Sequence, residues 1–200
     1  MRLLSLIPLA LLLGGCEDPG KLPDGFTNIC EGGSVPWVKN VVGSPPFDSM
    51  EIRDARKGAA ETRDKVGTPC EKATDRAACD AAYAGVDLKA HGDVAFVATR
   101  GNDVIVKNVA ELDSTILGTI DNEHEAAVRG IDGRERAPMA CSDDEQIGVK
   151  KVGSGFEVAS ITKDECTGKK TRVINAVDTN GTVRQLETQS LEEGEKKVCD

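Results

Sequence analysis

The sequence predicts an α+β fold, with helices in its first half and a mainly antiparallel β meander in its second. Three observations predict it. Apolar residues at helical spacing run through 48–66, with Ile52, Ala55, Ala59 and Val66 on one stripe and Glu61 and Lys65 four apart on another face. Thr68-Pro69-Cys70-Glu71 reads as a capping box with proline at the first helical position. Beyond Pro138 the pattern changes to short β-rich runs separated by Gly153-Ser154-Gly155 and Thr179-Asn180-Gly181.

In chain order, residues 17–29 carry Pro19, Gly20, Pro23 and Gly25 without an apolar period and read as a tether. An extended segment over 30–46 presents Val35, Trp37, Val38, Val41 and Val42, with Trp37 as a core plug because it lacks partner aromatics. A helix over 48–66 stops at Gly67, and a second runs from Thr68, or from a cap at Thr74 or Asp75, to about Ala84. Val94-Ala95-Phe96-Val97-Ala98 is a buried strand returning through Gly101-Asn102-Asp103 to Val104-Ile105-Val106. Short helices follow from Asn108 and from a cap at Asp121 to Gly130. Strands are placed at 147–152, 156–161, 171–177 and 182–189.

The 200 residues have a net charge of −9 with 39% hydrophobic, 30% charged and only 3% aromatic residues, a globular composition. Acidity argues against nucleic acid as partner, and the few aromatics argue against a stacking platform.

Arg2 precedes an apolar run over 3–13, the n-region and h-region of an export signal too short to span a bilayer comfortably. Leu13-Gly14-Gly15-Cys16 resembles the lipobox of bacterial lipoproteins. That resemblance implies cleavage before Cys16 and acylation of Cys16, with membrane attachment through lipid. The division is then a signal over 1–15, a lipidated cysteine and tether over 16–29, and a single α+β domain over 30–200. Glu17 stands where an aspartate would retain such a protein at the inner membrane, which favours the outer one. The stretches 95–104 and 117–121 are similar to uncharacterised lipoproteins of myxobacteria-like bacteria, which implies no activity.

With Cys16 reserved for lipid, Cys30, Cys70, Cys79, Cys141, Cys166 and Cys199 leave an even number in an oxidising compartment, so three disulfides are expected. Fifteen pairings are open. Cys70–Cys79 requires the second helix to begin near Thr74. Cys141–Cys166 would flank the 147–161 hairpin, and Cys30–Cys199 remains by elimination.

No catalytic, metal or cofactor signature is complete. Glu123-His124-Glu125 has Val128 where a zinc peptidase needs its second histidine, which leaves an acidic helix start. Gly168-Lys169 lacks the first glycine and the hydroxyl of a phosphate loop. Ser154 lies in a β-turn, and His91 beside Gly92 suits a turn. Asp178-Thr179-Asn180-Gly181 lacks the later calcium ligands, and Ser142-Asp143-Asp144-Glu145 reads as a solvated loop. The expectation is a non-catalytic binding or structural module of the envelope with a cationic protein partner. The alternative is an envelope hydrolase using paired carboxylates such as Asp143 and Glu157.

Overall fold

The computed structural model describes residues 21–30, 37–56, 58–108, 111–112, 114–131, 141–142, 145–164 and 166–191. It is a mostly β protein, not an array of N-terminal helices followed by a meander. Thr27–Asn28 (β1), Gln146–Val152 (β6), Gly155–Lys163 (β7), Lys170–Val177 (β8) and Val183–Ser190 (β9) form one antiparallel sheet in the order β1-β6-β7-β8-β9. Ser49–Asp54 (β2), Glu61–Gly67 (β3), Val94–Arg100 (β4) and Asp103–Asn108 (β5) form another, in the order β3-β2-β4-β5. The helices are short: Arg76–Ala84 (α1), Ser114–Leu117 (α2) and Glu123–Gly130 (α3).

The largest departure is at 48–66, where the expected helix is the β2–β3 hairpin. β2 is a central strand, paired with β3 on one side and with β4 on the other. Met50 and Ile52 enter the core, while Glu51 and Asp54 are also buried, each against arginine. Buried carboxylates mask the period-two pattern, so the sequence shows helical spacing where tertiary pairing imposes a strand.

The second expected helix does not begin at Thr68. Cys70 takes a left-handed backbone (φ 56°) and is fully buried, and α1 starts only after Asp75, whose carboxylate caps Ala78 N–H at 3.0 Å. Thr27–Asn28, inside the stretch read as a tether, pair with Val149 and Gly148 of β6. The strands expected in the last third are present. The β8–β9 turn is not the type I′ form that Asn180-Gly181 suggests, because only Gly181 has positive φ (+77°). The Asp178 carboxylate instead accepts the N–H groups of Asn180 and Thr182, which hold its pKa below the ordinary value.

Both sheets contribute to one apolar cluster. Met50, Ile52, Phe96 and Ala98 come from the four-stranded sheet; Ile147, Val149, Phe156, Val158 and Val177 come from the five-stranded one. Ala126, Ala127 and Val128 of α3 and the Trp37, Val38 and Val41 segment complete it. α3 lies across β6, β7 and β8, its final carbonyl at Gly130 accepting from Asn175 Nδ2 at 2.7 Å. Trp37 is 2% exposed and packs in this core, as its isolation in the sequence suggests.

Two disulfides have both partners among the described residues. Cys70–Cys79 is formed, with Cα atoms 5.9 Å apart. The other joins Cys30 to Cys141 across 111 positions, with Cα atoms 5.8 Å apart, which overturns the expected Cys141–Cys166 and Cys30–Cys199 pairings. The cause is β1. Its register on β6 sets Ile29 N–H on the Ile147 carbonyl at 3.1 Å, so the next residue, Cys30, arrives beside the segment that leads into β6 from Cys141. Cys166 is also disulfide-bonded. Cys16 and Cys199 lie outside the described residues.

Candidate functional site

The buried polar side chains Ser49, Glu51 and Thr99 lie on the face of the four-stranded sheet turned away from the shared core. Alternation along β2 sends Ser49, Glu51 and Arg53 there, and along β4 it sends Ala95, Val97 and Thr99. The cover is α1 and the turn of 3-10 helix Leu88–Ala90, through Tyr83, Val86 and Leu88. The Tyr83 phenol donates to Glu51 Oε1 at 2.6 Å, and Arg53 Nε donates to the same oxygen. The Arg53 guanidinium also stacks 4.5 Å from the centre of the Tyr83 ring.

These partners fix the chemistry of the cluster. Burial, and then the Glu51 carboxylate, raise the Tyr83 phenol above its ordinary pKa, so it stays a proton donor at neutral pH. Burial alone would lower Arg53, but its bonds to Tyr83 and Glu51 outweigh this and raise it, so the guanidinium stays charged. A carboxylate already engaged by a phenol and a guanidinium is a poor general base. The arrangement clamps α1 to the sheet.

At the end of β2, Asp54 is buried and receives Arg56 Nε and Nη2, each at 3.0 Å, and Arg63 Nη2 at 3.2 Å. Arg56 above all holds its carboxyl at about 2. On the same sheet Thr99 Oγ1 lies 2.9 Å from Ser49 Oγ and accepts Cys70 N–H at 3.1 Å. The loop into α1 grips the β4–β5 turn: Asn102 accepts from Asp75 N–H at 3.0 Å and donates to Thr74 Oγ1 at 2.8 Å.

Glu125 forms a second polar centre, on α3. Asn122 caps this helix by accepting His124 and Glu125 N–H at 3.0 Å each. Glu125, three positions into the helix, reaches back to accept Asp121 N–H at 3.3 Å and Val42 N–H at 3.4 Å. It thereby joins α3 to the 37–47 segment. Desolvation raises its pKa above the ordinary value.

The sequence candidates are not brought together into a reaction centre among the described residues. His124 meets Asn40 at 3.1 Å, and His91 ends the 3-10 turn, its carbonyl accepting from Asn108 Nδ2 at 3.1 Å. Ser154 is in the β6–β7 turn. Gly168-Lys169 belongs to a turn in which the Asp164 carboxylate accepts the N–H groups of Cys166 and Thr167. Glu157 pairs with Lys150 at 3.6 Å, while Asp143 lies outside the described residues. Among the described residues no group of three or more His, Cys, Asp or Glu could hold a metal ion, and no helix is long and apolar enough to cross a membrane. The Glu51, Arg53 and Tyr83 cluster was missed by sequence reasoning because Glu51 and Arg53 fall in the expected first helix.

Compared with protein-family models, with curated proteins and with solved structures, the chain matches none.

Proposed function

We propose that this chain is a bacterial envelope lipoprotein, held on a membrane by acyl groups at Cys16, whose folded part is a non-catalytic binding or structural module. The observation that carries the proposal is Leu13-Gly14-Gly15-Cys16 at the end of the apolar run over 3–13. The bonded state of Cys30, Cys70, Cys79, Cys141 and Cys166 supports an exported, oxidising location. Two or more acyl chains hold a protein stably where one does not, so the lipid suffices as an anchor. Glu17 after Cys16 favours the outer membrane.

The non-catalytic reading draws support from Glu51 and Asp54, buried carboxylates already engaged by arginines, and from Glu125, spent on two backbone N–H groups. The net charge of −9 favours a cationic envelope protein as partner. The test is Cys16→Ser in a bacterial host fed a tagged fatty acid. The parent should carry the tag and sediment with membranes after a salt wash, and Cys16→Ser should lose both properties. Retention of Cys16→Ser on washed membranes would overturn the proposal.

A further inference from the structure

We propose that Asn180, in the turn between β8 and β9, is an acceptor for an asparagine-linked saccharide. The inference rests on the export reading above, because the donors of this chemistry are carried on lipid at the membrane. It adds a covalent site that the export reading does not use.

Asn180-Gly181-Thr182 has the required spacing, an asparagine followed two positions later by a hydroxyl residue with no proline between. The chain has seven asparagines, and the residues two positions after the other six are Cys30, Val42, Val104, Ala110, His124 and Val177. So short a motif also arises by chance, so its weight depends on what each asparagine does in the fold.

Six of the seven side chains are in structural use. Asn28 Oδ1 accepts Cys30 N–H at 2.9 Å, and Asn40 Nδ2 lies 3.1 Å from a ring nitrogen of His124. Asn102 holds the loop into α1, and Asn108 donates to the His91 carbonyl. Asn122 caps α3, and Asn175 donates to the Gly130 carbonyl. Asn180 is the exception. It is exposed, its own N–H is bound to the Asp178 carboxylate at 2.9 Å, and its side-chain amide meets no partner among the described residues. The asparagine with a hydroxyl at the required place is the one whose amide the fold does not use.

The backbone that carries it is fixed. Gly181 N–H bonds the Asp178 carbonyl at 3.0 Å, and Ile120 N–H bonds the Thr179 carbonyl at 2.9 Å. Arg129 Nε bonds the Gly181 carbonyl at 2.6 Å, and the Asp178 carboxylate accepts Thr182 N–H at 2.8 Å. Asn180 and Thr182 are both exposed and lie between Val177, the end of β8, and Val183, the start of β9. A transferase therefore meets the site on the folded protein without opening either strand. The bond on Gly181 N–H also works against the competing reaction of an Asn-Gly pair, in which that nitrogen attacks the Asn180 carboxamide and expels ammonia.

In the transfer step Asn180 Nδ2 attacks C1 of a saccharide carried as its polyprenyl pyrophosphate. The N–C1 bond forms as the bond from C1 to the phosphate oxygen breaks. The lipid pyrophosphate leaves with the electron pair, and one amide proton passes to a base of the transferase.

Cleavage by trypsin after Arg172 and Arg184 frees residues 173–184, with Asn180, as one peptide. The test is mass spectrometry of this peptide from protein purified from the membranes of the organism that makes it, with the acylation of Cys16 read in the same sample. The peptide should carry the mass of whole sugar residues and release saccharide ions on fragmentation. Asn180→Gln and Thr182→Ala should each remove the sugar, and Thr182→Ser should keep it. Acylated Cys16 in each variant shows that it was exported. An unmodified peptide from protein acylated at Cys16 would overturn the acceptor site and leave the anchor standing. A sugar that survives Asn180→Gln, or aspartate at position 180 in place of a sugar, would do the same. Protein found inside the cell with Cys16 unmodified would overturn both readings.

Discussion

The phenol of Tyr83, on α1, donates a 2.6 Å hydrogen bond to the carboxylate of Glu51, at the centre of β2 and 32 positions earlier. Arg53 shares the same oxygen and stacks on the same ring. Hydrogen bonds to charged groups contribute ~1.5–3 kcal/mol, more than neutral ones. Tyr83→Phe should therefore cost about 2 kcal/mol in urea unfolding under non-reducing conditions, with an unchanged m-value. Arg53→Met should cost more, about 3 kcal/mol, because it leaves Glu51 buried with the phenol alone. A Tyr83→Phe protein within 0.5 kcal/mol of the parent would show that the clamp contributes little.

Acid stability should report Asp54. Its folded pKa, about 2, lies below the ordinary 3.8, so the folded state favours the ionised form. The contribution is complete above the unfolded pKa and is lost as pH falls from about 4 towards 2. The gap would convert to ~2.5 kcal/mol at 1.36 kcal/mol per unit. Arg56 and Arg63 are about one-third exposed, so solvent screening reduces the expected effect to ~1–2 kcal/mol. Asp54→Asn should be less stable than the parent at pH 7, and its stability should fall less steeply between pH 4 and 2. Glu125 works the other way: its raised pKa favours the folded state at low pH and loses that contribution as pH rises through the carboxylate range. Parallel stability curves for Asp54→Asn and the parent across pH 4 to 2 would remove Asp54 from the account.

The β4–β5 hairpin and the four strands of the last third were legible because their apolar runs are bounded by turn residues and their outer residues are polar. β2 was not, because Glu51 and Asp54 are buried only by virtue of arginines at Arg53, Arg56 and Arg63, which no local pattern reveals. β1 is two residues long and exists only through its pairing with β6, so nothing in Thr27-Asn28 announces it. The Cys30–Cys141 bridge depends on β1 and was hidden with it. Cys70–Cys79 was accessible, since the helix cap at Asp75 and the bridge require each other. The buried centres at Glu51 and Glu125 were hidden for a shared reason: each is assembled from segments more than thirty positions apart.

The two bridges should differ in what they contribute. In the loop-entropy account, closing a loop of about ten residues is worth ~2.7 kcal/mol and one of about a hundred ~4.7 kcal/mol. Cys70–Cys79 spans 9 positions and Cys30–Cys141 spans 111. Replacing Cys30 and Cys141 together by serine should lower stability by about 2 kcal/mol more than replacing Cys70 and Cys79. Urea midpoints at constant m-value decide this. The reverse order would mean that the left-handed Cys70 and its bond to Thr99 hold more of the fold than chain entropy does.

Gly130 gives the sharpest test of how α3 sits on the five-stranded sheet. In an isolated helix, alanine is better than glycine by up to ~1 kcal/mol, so Gly130→Ala would stabilise α3 if only the helix mattered. A Cβ at Gly130 would, however, stand 2.6 Å from Val158 Cγ2, 2.7 Å from Val158 Cβ and 2.9 Å from Val177 Cγ2. These are core atoms on two adjacent strands, and neither valine can withdraw without opening the sheet's inner face. Forcing one methyl into such a site costs ~1–3 kcal/mol, which exceeds the helix gain. The displacement would also lengthen the 2.7 Å bond from Asn175 to the Gly130 carbonyl, a bond made in a buried place where an unpaired amide is costly. Gly130→Ala should therefore destabilise the protein by about 1–2 kcal/mol in urea unfolding. Val158→Ala makes room on the other side of the contact, so the pair of substitutions should cost less than their sum by about 1 kcal/mol. A Gly130→Ala protein more stable than the parent would place α3 farther from β7 and β8 than these distances allow.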